Sequence, residues 1–468
     1  MDDVAHFDLT ELQKVSGGEI IGDLSCALSK RWSISTDTRC DNHGKIFFAL
    51  AGETFDAHNF LTQAADSGAE LLCIKRSKCD LLPTGAAALL VDDPLKTLQA
   101  LAAYHRQRFS SLKIAAVTGS VGKTSVKEML RAIFVQSCNG NQDEVLYTVG
   151  NTNNHLGVPQ NLLRLTSQHR FAVIEMGTSS PGEIEPLTLI TRPDAAVVNT
   201  IAPCHLENLI DLNGVATEKS TIFNGLPADG IAVIPTDSPS NEILQKASKN
   251  FRSFTFGTLD NGKVNSGVSA KFAGGTLFDS HVELHFPNGQ VQEFSWSLAG
   301  NHQAANAAAA ATIAFAMGIA PEVIAQGLSK TELPGMRMKK SIISGVTYIN
   351  DAYNANPASM RAMIQLLAGA KPGEWRELFL VLGGMRELGA GSAAEHKTLL
   401  DYAVKMLPNA KIITVGAEFN GFDMVTAHFT NSADAADTIA AAVKAGDYVV
   451  AKGSRGNRTE LALPPEAR

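Results

Sequence analysis

A glycine-rich stretch, TGSVGKTS, follows the apolar segment KIAAV and has the residue types of a phosphate-binding turn. In a strand–turn–helix arrangement, backbone N–H groups of such a turn point at an anion, and the dipole of the following helix adds positive potential. Lys123 would reach the β- and γ-phosphates of a nucleotide, and Thr124 would supply an oxygen to Mg²⁺. The stretch predicts a nucleoside triphosphate site made of Thr118, Gly119, Ser120, Val121, Gly122, Lys123, Thr124 and Ser125.

Position 117 departs from the standard phosphate loop, which carries a glycine five residues before the glycine of Gly-Lys-Thr. Here that position is Val117. Gly119 still allows the backbone to approach a phosphate closely. The alternative is a tight turn with a solvated lysine, and the flanking strand and helix patterns favour the phosphate site over it.

A carboxylate at the end of an apolar run, Glu175, is a candidate metal ligand, and two further polar residues follow the next apolar run. Glu175 ends the segment FAVIE, and His205 and Lys219 lie in the stretch that follows AAVVNT. A carboxylate at a strand end can hold Mg²⁺ directly or through water, although many strands end in a solvated acid. Because imidazole prefers softer metals, the residue types alone favour a structural histidine at 205 and an exposed helix charge at 219.

Side-chain amides and charges mark four further stretches. GNTNNHLGVPQ could bind a polar substrate or satisfy its own backbone through Asx-turns. In GNHQAANAAAA, Asn306 lies four residues after His302 on the same helix face, and a buried asparagine needs a partner, of which a ligand is one. YINDAYNANP and AKGSRGNR read equally as ligand-binding strand ends or as polar loops with capping residues.

Alternating β-rich and helical segments position these stretches and indicate an α/β protein with largely parallel sheets. Many predicted strands end in Gly, Asn, Glu or Lys, at the edge where open α/β sheets bind ligands. The chain divides into 1–92, with short strands; 93–333, with the phosphate loop and a β-rich insert; and 334–468, a smaller α/β segment after ELPGMRM. The predicted strands are KIAAVT, FAVIEMG, DAAVVNT, GIAVIP, LFLVLGG, KIITVG and YVVAKGS.

Composition narrows the class of protein. The 468 residues carry a net charge of −7, and 45% of them are hydrophobic, which is ordinary for a globular chain and gives no basic surface for nucleic acid. Six scattered cysteines without metal-ligand spacing suit reduced thiols in a cytoplasm. We expect no signal peptide, no membrane span and a monomer.

Taken together, these stretches resemble the Mur ligases, ATP-dependent enzymes that form peptide bonds in cell-wall precursor synthesis. TGSVGKTS is close to the TGxxGK[ST] form of that family, which lacks the earlier glycine. The match continues in order through IEMG, HLE…EKSTIF, GNHQAANAAAA, PGMRM, DAYNANP and KGSRG, and so covers nearly the whole chain.

The resemblance implies three α/β domains: an N-terminal domain for the UDP end of a substrate, a central P-loop domain for ATP and a C-terminal Rossmann-like domain that closes over it. It implies that Thr124, Glu175 and His205 ligate Mg²⁺ and that Lys219 becomes a carbamate, an oxygen ligand. That modification needs a neutral amine, hence a lowered pKa, which nearby cations favour. The implied catalytic residues are Lys123, Glu175, His205 and Lys219. The further implied nucleotide contacts are Asn306, Arg337, Asp351 and Asn354. The implied substrate contacts are Thr36, Asp37, Thr38, Arg39, Asn153, Asn154, Ser454 and Arg455.

Within the family, GNTNNHLGVP, DAYNANP and the start STDTR…GKIFFALAGETFDAHNF resemble the type that joins D-alanyl-D-alanine to UDP-N-acetylmuramoyl-tripeptide, a peptidoglycan precursor. The implied reaction runs through an acyl phosphate, with Lys123 and Mg²⁺ neutralising charge on the transferred group. Alternatives are another Mur-type amino-acid ligase, a folylpolyglutamate synthase, which lacks the UDP-type N-terminal segment, and a P-loop ATPase switch.

Overall fold

Three β-sheets follow one another along the chain in the computed structural model, which describes residues 4–22, 30–52, 54–259 and 266–468. The turn at 260–265 of the predicted β-rich insert lies outside the described residues. Most neighbouring strands within the sheets are parallel, so the predicted α/β class is confirmed. No helix in the described ranges combines the length and the apolar character needed to cross a bilayer.

The first sheet has five strands in the order β1-β5-β4-β3-β2 and is parallel except for the β1–β5 pair. A capping box starts its first helix, because Asp8 accepts from the backbone N–H of Glu11 and Glu11 accepts from that of Asp8. The elements are α1 Leu9–Ser16, β1 Glu19–Ile21, β2 Ser33–Ser35, β3 Lys45–Phe48, α2 Leu61–Asp66, β4 Leu71–Lys75 and β5 Ala88–Val91.

The second sheet has nine strands in the order β14-β13-β12-β11-β10-β9-β6-β8-β7. It is parallel from β7 to β12, and β12, β13 and β14 then pair antiparallel as the predicted insert. Its strands are β6 Lys113–Thr118, β7 Val145–Tyr147, β8 Phe171–Glu175, β9 Ala195–Val198, β10 Ile231–Pro235, β11 Arg252–Thr258, β12 Ser269–Gly275, β13 Ser280–His285 and β14 Val291–Trp296.

Nine helices among the described residues accompany this sheet. The Ala-rich one, α10, is buried as predicted, with Ala307 to Ala311 wholly inaccessible, since small side chains let it pack closely against the sheet and α4. The helices are α3 Pro94–Arg106, α4 Lys123–Ser137, α5 Gly157–Leu162, α6 Ile184–Thr191, α7 Leu206–Leu209, α8 Leu212–Ser220, α9 Asn241–Ser248, α10 Asn301–Ala316 and α11 Pro321–Ser329.

The third sheet has six strands in the order β15-β16-β20-β17-β18-β19 and is parallel except for β15–β16. Pro357 opens α12 as predicted, behind the N-cap Asn356. The elements are β15 Lys339–Ile343, β16 Val346–Asn350, α12 Pro357–Ala368, β17 Leu378–Gly383, α13 Ser392–Met406, β18 Lys411–Val415, β19 Ala427–Phe429, α14 Ser432–Ala442 and β20 Tyr448–Lys452.

The apolar cores do not correspond one to one with the three sheets. One core runs from Phe7 and Trp32, beside the first sheet, through Leu98 and Leu101 of α3 to Ile114 in the second sheet. The third sheet has separate cores on its two faces, to which the second domain contributes Leu277. The first two sheets therefore share one apolar core, whereas the cores of the third sheet are largely separate from it.

Candidate active site

Three neighbouring parallel strands, β9, β6 and β8, bring their carboxyl ends to one edge of the second sheet. Val117 pairs with Glu175 and Val197 in the register, so the polar residues that follow lie side by side. This is the edge at which open α/β sheets bind ligands. The phosphate loop, Glu175 and Asn199 meet there.

Contacts with neighbouring residues fix the backbone conformation of the phosphate loop. Gly119 has φ +152° and Gly122 has φ +81°, and a β-carbon on Gly122 would collide with the amides of Asn199 and Asn306. Ser120 N donates to Thr200 O at 2.7 Å, which fixes the loop against the end of β9. No side chain caps the start of α4, so its first N–H groups are available to an anion. The cradle fits a triphosphate.

Lys123 and Thr124 sit at the mouth of the loop. Lys123 Nζ donates to Gly119 O at 2.7 Å and so folds back over the turn. Thr124 Oγ1 donates to Glu175 Oε2 at 3.0 Å and accepts from Arg337 Nη2 at 3.3 Å. Asn153 Nδ2 holds the other carboxylate oxygen of Glu175 at 2.8 Å. A hydroxyl and a carboxylate side by side are oxygen donors of the kind Mg²⁺ takes.

Lys219 is buried, which shows that reading it as an exposed helix charge is wrong. Lys219 is 1% exposed, and its burial together with the positive charge of Lys123 lowers the pKa of the Lys219 amine to about 7. The adjacent Glu218 does not neutralise it directly, because that carboxylate accepts backbone N–H groups from Gly182, Glu183 and Ile184 at the start of α6. The amine is therefore poised to lose its proton near neutrality.

His205 precedes α7 in the left-handed region, with φ +52°. Its Nδ1 lies 2.5 Å from Glu387 Oε2, which comes from the loop after β17 in the third sheet. Burial lowers the pKa of His205, and the cations Lys219 and Lys123 act in the same direction while Glu387 opposes them. The side chain thus faces the third domain.

The predicted metal ligands are only partly assembled. Thr124 and Glu175 are in contact, whereas His205 is engaged with Glu387 and the amine of Lys219 supplies no oxygen. Within the described ranges, no group of three or more His, Cys, Asp or Glu forms a metal cluster. The Thr124–Glu175 pair is the part of the donor set that fits Mg²⁺ as it stands.

Of the other predicted nucleotide residues, Asn306 and Arg337 lie at the phosphate-loop site, and Asp351 and Asn354 contact Lys452 in the third domain. Asn306 Oδ1 accepts from Asn199 Nδ2 at 2.8 Å, so β9 and α10 are tied together behind the phosphate cradle. The guanidinium of Arg337 stacks on the ring of Tyr353, 3.8 Å from its centroid. Asp351 pairs with Lys452 at 2.7 Å, and Lys452 also donates to the backbone oxygen of Asn354.

Of the predicted substrate residues, Asn153 lies at the Thr124–Glu175 pair, where it donates to Glu175. The others make contacts in the first domain, at α5 and in the third domain. In the first sheet, Arg39 lowers the pKa of Asp37 to about 2, and Gln160 of α5 donates to Thr36 at 3.0 Å; Thr38 lies in the intervening turn. Asn154 accepts from the backbone N–H groups at the start of α5. In the third domain, Ser454 bonds to Ala355 O and Arg386 N, and Arg455 pairs with Glu460.

Comparisons with known proteins now decide the family. The Mur ligase middle domain matches residues 117–314, and the Mur ligase, glutamate ligase domain matches residues 336–455. The UDP-N-acetylmuramoyl-tripeptide–D-alanyl-D-alanine ligase of Escherichia coli (strain K12) is 38% identical over 412 residues, which is 88% of this chain and 86% of that one. The chain belongs to the Mur ligase family.

Solved structures of other Mur ligases agree with the whole three-sheet fold. MurF from Acinetobacter baumannii has a TM-score of 0.88 at 30% identity, with 98% of each chain covered. The MurF ligase from Thermotoga maritima, solved in complex with ADP, has a TM-score of 0.79 at 25% identity and covers 92% of this chain and 96% of its own. The three-domain architecture that the motifs implied for this Mur ligase is confirmed.

Sequence reasoning missed three residues of this Mur ligase site. Asn199 closes the predicted strand AAVVNT, and its polar side chain at a strand end was the available signal. Tyr353 lies within DAYNANP without having been singled out. Glu387 follows the strand LFLVLGG, and no local pattern in the sequence connects it to His205.

Proposed function

We propose that this Mur ligase joins D-alanyl-D-alanine to UDP-N-acetylmuramoyl-tripeptide, with conversion of ATP to ADP and phosphate. The observation that carries the proposal is the convergence on Thr124 Oγ1 of the phosphate loop, the carboxylate of Glu175 and the guanidinium of Arg337 from the third domain. The relative from Escherichia coli that bears the name of this activity supports the choice of substrates.

In the first step, the terminal carboxylate of the tripeptide attacks the γ-phosphorus of ATP and becomes an acyl phosphate, and ADP leaves. We assign the phosphates to the N–H groups of the loop and of the first turn of α4. Lys123 Nζ would leave Gly119 O and turn to the γ-phosphate, while Arg337 offsets charge from the other side. Thr124 and Glu175, together with His205 and a carbamate on Lys219, would hold Mg²⁺, which would supply further charge neutralisation.

In the second step, the amine of the dipeptide attacks the acyl carbon, phosphate leaves, and an amide remains. Because an acyl phosphate hydrolyses in water, the site must exclude water during this step. The third domain already reaches Thr124 through Arg337 and His205 through Glu387, and we infer that it closes further over the substrates. Asp37 and Arg39, at the first sheet, are proposed to hold the UDP end.

Phosphate release tests this function. We expect release from ATP only when both UDP-N-acetylmuramoyl-tripeptide and D-alanyl-D-alanine are present, together with a pentapeptide product seen by mass spectrometry. Release with the tripeptide and a different amino acid would point to another Mur-type ligase. Release without any UDP substrate would indicate the ATPase-switch alternative, and release with a folate substrate the folylpolyglutamate alternative.

We further propose that the enzyme acts in the cytoplasm. Five cysteines in the described ranges are free thiols (Cys40, Cys73, Cys79, Cys138 and Cys204), as is usual in a reducing compartment. Both nucleotide substrates are cytoplasmic metabolites in this proposal. Fractionation of cells that produce the tagged chain at its native level tests the location, and recovery of the chain with the membrane fraction after a salt wash would contradict it.

A further inference from the structure

Glu387 is a charged residue of the third domain that reaches the central site and that the reaction above leaves without a task. It lies in the loop between β17 and α13. Its carboxylate Oε2 is 2.5 Å from His205 Nδ1, and its side chain is 55% exposed. It therefore stands at the boundary between the phosphate-loop domain and the third domain, open to a ligand that enters there.

The loop that carries Glu387 is anchored by backbone hydrogen bonds of the three residues before it. Gly384 N donates to Val415 O at 3.1 Å, and Met385 N donates to Nε2 of the buried His396 at 2.9 Å. Arg386 N donates to Ser454 Oγ at 3.1 Å. These bonds leave little freedom for the backbone that precedes Glu387.

Strain in the backbone accompanies this fixed position. Glu387 has φ +62° and His205 has φ +52°, so both partners of the contact occupy the left-handed region that residues with a side chain rarely adopt. Such strain persists only where the surroundings enforce it, and it concentrates at functional sites. Because two strained residues face each other across a domain boundary, we infer that the position of the Glu387 carboxylate serves a function.

The charges around the site define what Glu387 can bind. Lys123 and Lys219 both lower the pKa of His205, and Lys123 is the one that stays a cation in the proposed reaction, because Lys219 is a carbamate there. The nearby carboxylates are already engaged: Glu175 with Thr124 and Asn153, and Glu218 with backbone N–H groups. Glu207, on α7, approaches this loop near Gly389, and Glu418 approaches it near Gly384.

We propose that Glu387 binds the ammonium group of the incoming dipeptide and so selects a zwitterionic amino substrate. The inference rests on the proposed function, because that reaction brings the α-amine of the dipeptide to a carbon beside Lys123. A cationic amine approaching this lysine needs an opposing carboxylate, and Glu387 presents one from the domain that closes over the site. The bound ammonium group gives up a proton to the solvent before it attacks as the neutral amine. In the structure, the imidazole of His205 takes the place that the ammonium group would occupy.

Glu387→Gln tests this assignment with two nucleophiles. We expect the KM for D-alanyl-D-alanine to rise by about 10-fold or more, because a hydrogen bond to a charged partner is lost, while the KM values for ATP and the UDP substrate stay unchanged. Hydroxylamine, which is uncharged at neutral pH and traps acyl phosphates, replaces the dipeptide in a second assay. Phosphate release with hydroxylamine should be the same in the variant and the wild type.

Controls separate the possible outcomes. Glu466→Gln removes an exposed carboxylate elsewhere in the same domain and should change neither assay. Glu387→Asp keeps the charge on a shorter side chain and should give an intermediate KM for the dipeptide. An unchanged KM for the dipeptide in Glu387→Gln overturns the proposal. An equal loss of activity with the dipeptide and with hydroxylamine also overturns it, because that result would show a purely structural contact. Failure of the wild type to use the dipeptide would instead overturn the proposed function.

Discussion

Lys219 places a primary amine inside the protein beside Lys123, where its pKa falls to about 7. A neutral amine can react with carbon dioxide, and the resulting carbamate would turn a buried cation into an oxygen ligand. Lys219→Ala should therefore lower ligase activity about 100-fold or more, and added short carboxylic acids should restore part of it. Steady-state rates with and without acetate or formate measure this effect. The exposed Lys246→Ala is the matched control, and full activity of Lys219→Ala without additives would contradict the carbamate.

The same lysine predicts a dependence of stability on pH. Its pKa is about 7 in the folded chain against 10.5 ordinarily, so between these values the unfolded chain binds one more proton. Lowering the pH through this window therefore favours unfolding, and below the folded pKa the effect is constant. Relative to wild type, Lys219→Met should gain about 1.4 kcal/mol in stability for each pH unit from about pH 9 down to about pH 7, and then level off. Urea unfolding in carbonate-free buffer tests the slope, and a gap between the two proteins that does not vary with pH would refute it.

Gly122 matters for its lack of a side chain as well as for its backbone angle. A β-carbon there would strike the amides of Asn199 and Asn306, which hold the phosphate loop from behind. Gly122→Ala should weaken ATP binding at least about 10-fold, as measured by calorimetry, because loop backbone must shift away from the phosphates. Gly140→Ala is a matched control: its φ of +88° is similar, but nothing lies within 4 Å of the added carbon. If the two substitutions weakened ATP binding equally, backbone strain alone would account for the loss of affinity.

At the scale of elements, strand β7 positions the carboxylate at the end of β8. Thr148 directly follows β7, is wholly buried, and its Oγ1 accepts from Glu175 N at 2.9 Å. Lys127, on the inward face of α4, donates to Thr148 O at 2.9 Å, so helix and strand share one anchor. A short edge strand thus holds the proposed metal-binding carboxylate from behind.

Thr148→Val removes this anchor with little change of shape. The buried N–H of Glu175 would lose its acceptor, at a cost of about 1–3 kcal/mol in folding stability. The displaced carboxylate should then require a higher Mg²⁺ concentration for half-maximal activity, which titration of the rate with Mg²⁺ measures. Thr148→Ser keeps the hydroxyl and should retain the Mg²⁺ dependence of the wild type. A Thr148→Val enzyme with an unshifted Mg²⁺ titration would show that β7 does not position Glu175.

The elements were the part most open to prediction from the sequence. Apolar runs such as KIAAVT and LFLVLGG became β6 and β17, since buried parallel strands have few polar positions to obscure them. The three-residue β7 and β19 were not predicted, because so short a segment carries little periodicity. The burial of Lys219 and the contact between His205 and Glu387 depend on residues far apart in the chain, so no local pattern could reveal them.

At the scale of the whole molecule, the three domains differ in independence. We propose boundaries near residues 92 and 333, but the core around Phe7 and Trp32 continues onto Leu98 and Leu101 of α3, beyond the first boundary. The third sheet instead has cores on both faces, built almost wholly from residues after 334. Cutting at the two boundaries should therefore have unequal consequences.

Separate fragments test this difference. Residues 334–468 should fold alone and unfold cooperatively on heating, as followed by circular dichroism. Residues 1–92 should not, because removing α3 exposes the apolar surface around Phe7 and Trp32 to water. A cooperative transition in the 1–92 fragment, or none in the 334–468 fragment, would contradict this difference in independence between the domains.

The length of the phosphate loop has a consequence for how the chain tolerates insertions and deletions. Strand β6 ends at Thr118 and α4 begins at Lys123, and both are fixed by buried neighbours such as Val117 and Val126. One added residue would either rotate α4 by about 100°, carrying Thr124 away from Glu175, or push the loop off Thr200. The side chain of Val121 can change without altering this spacing, whereas Ser120 Oγ donates to Ala202 O at 2.8 Å and Gly122 has no room for a β-carbon. The turn is therefore closed to any change in length, even at a position where the side chain can be replaced.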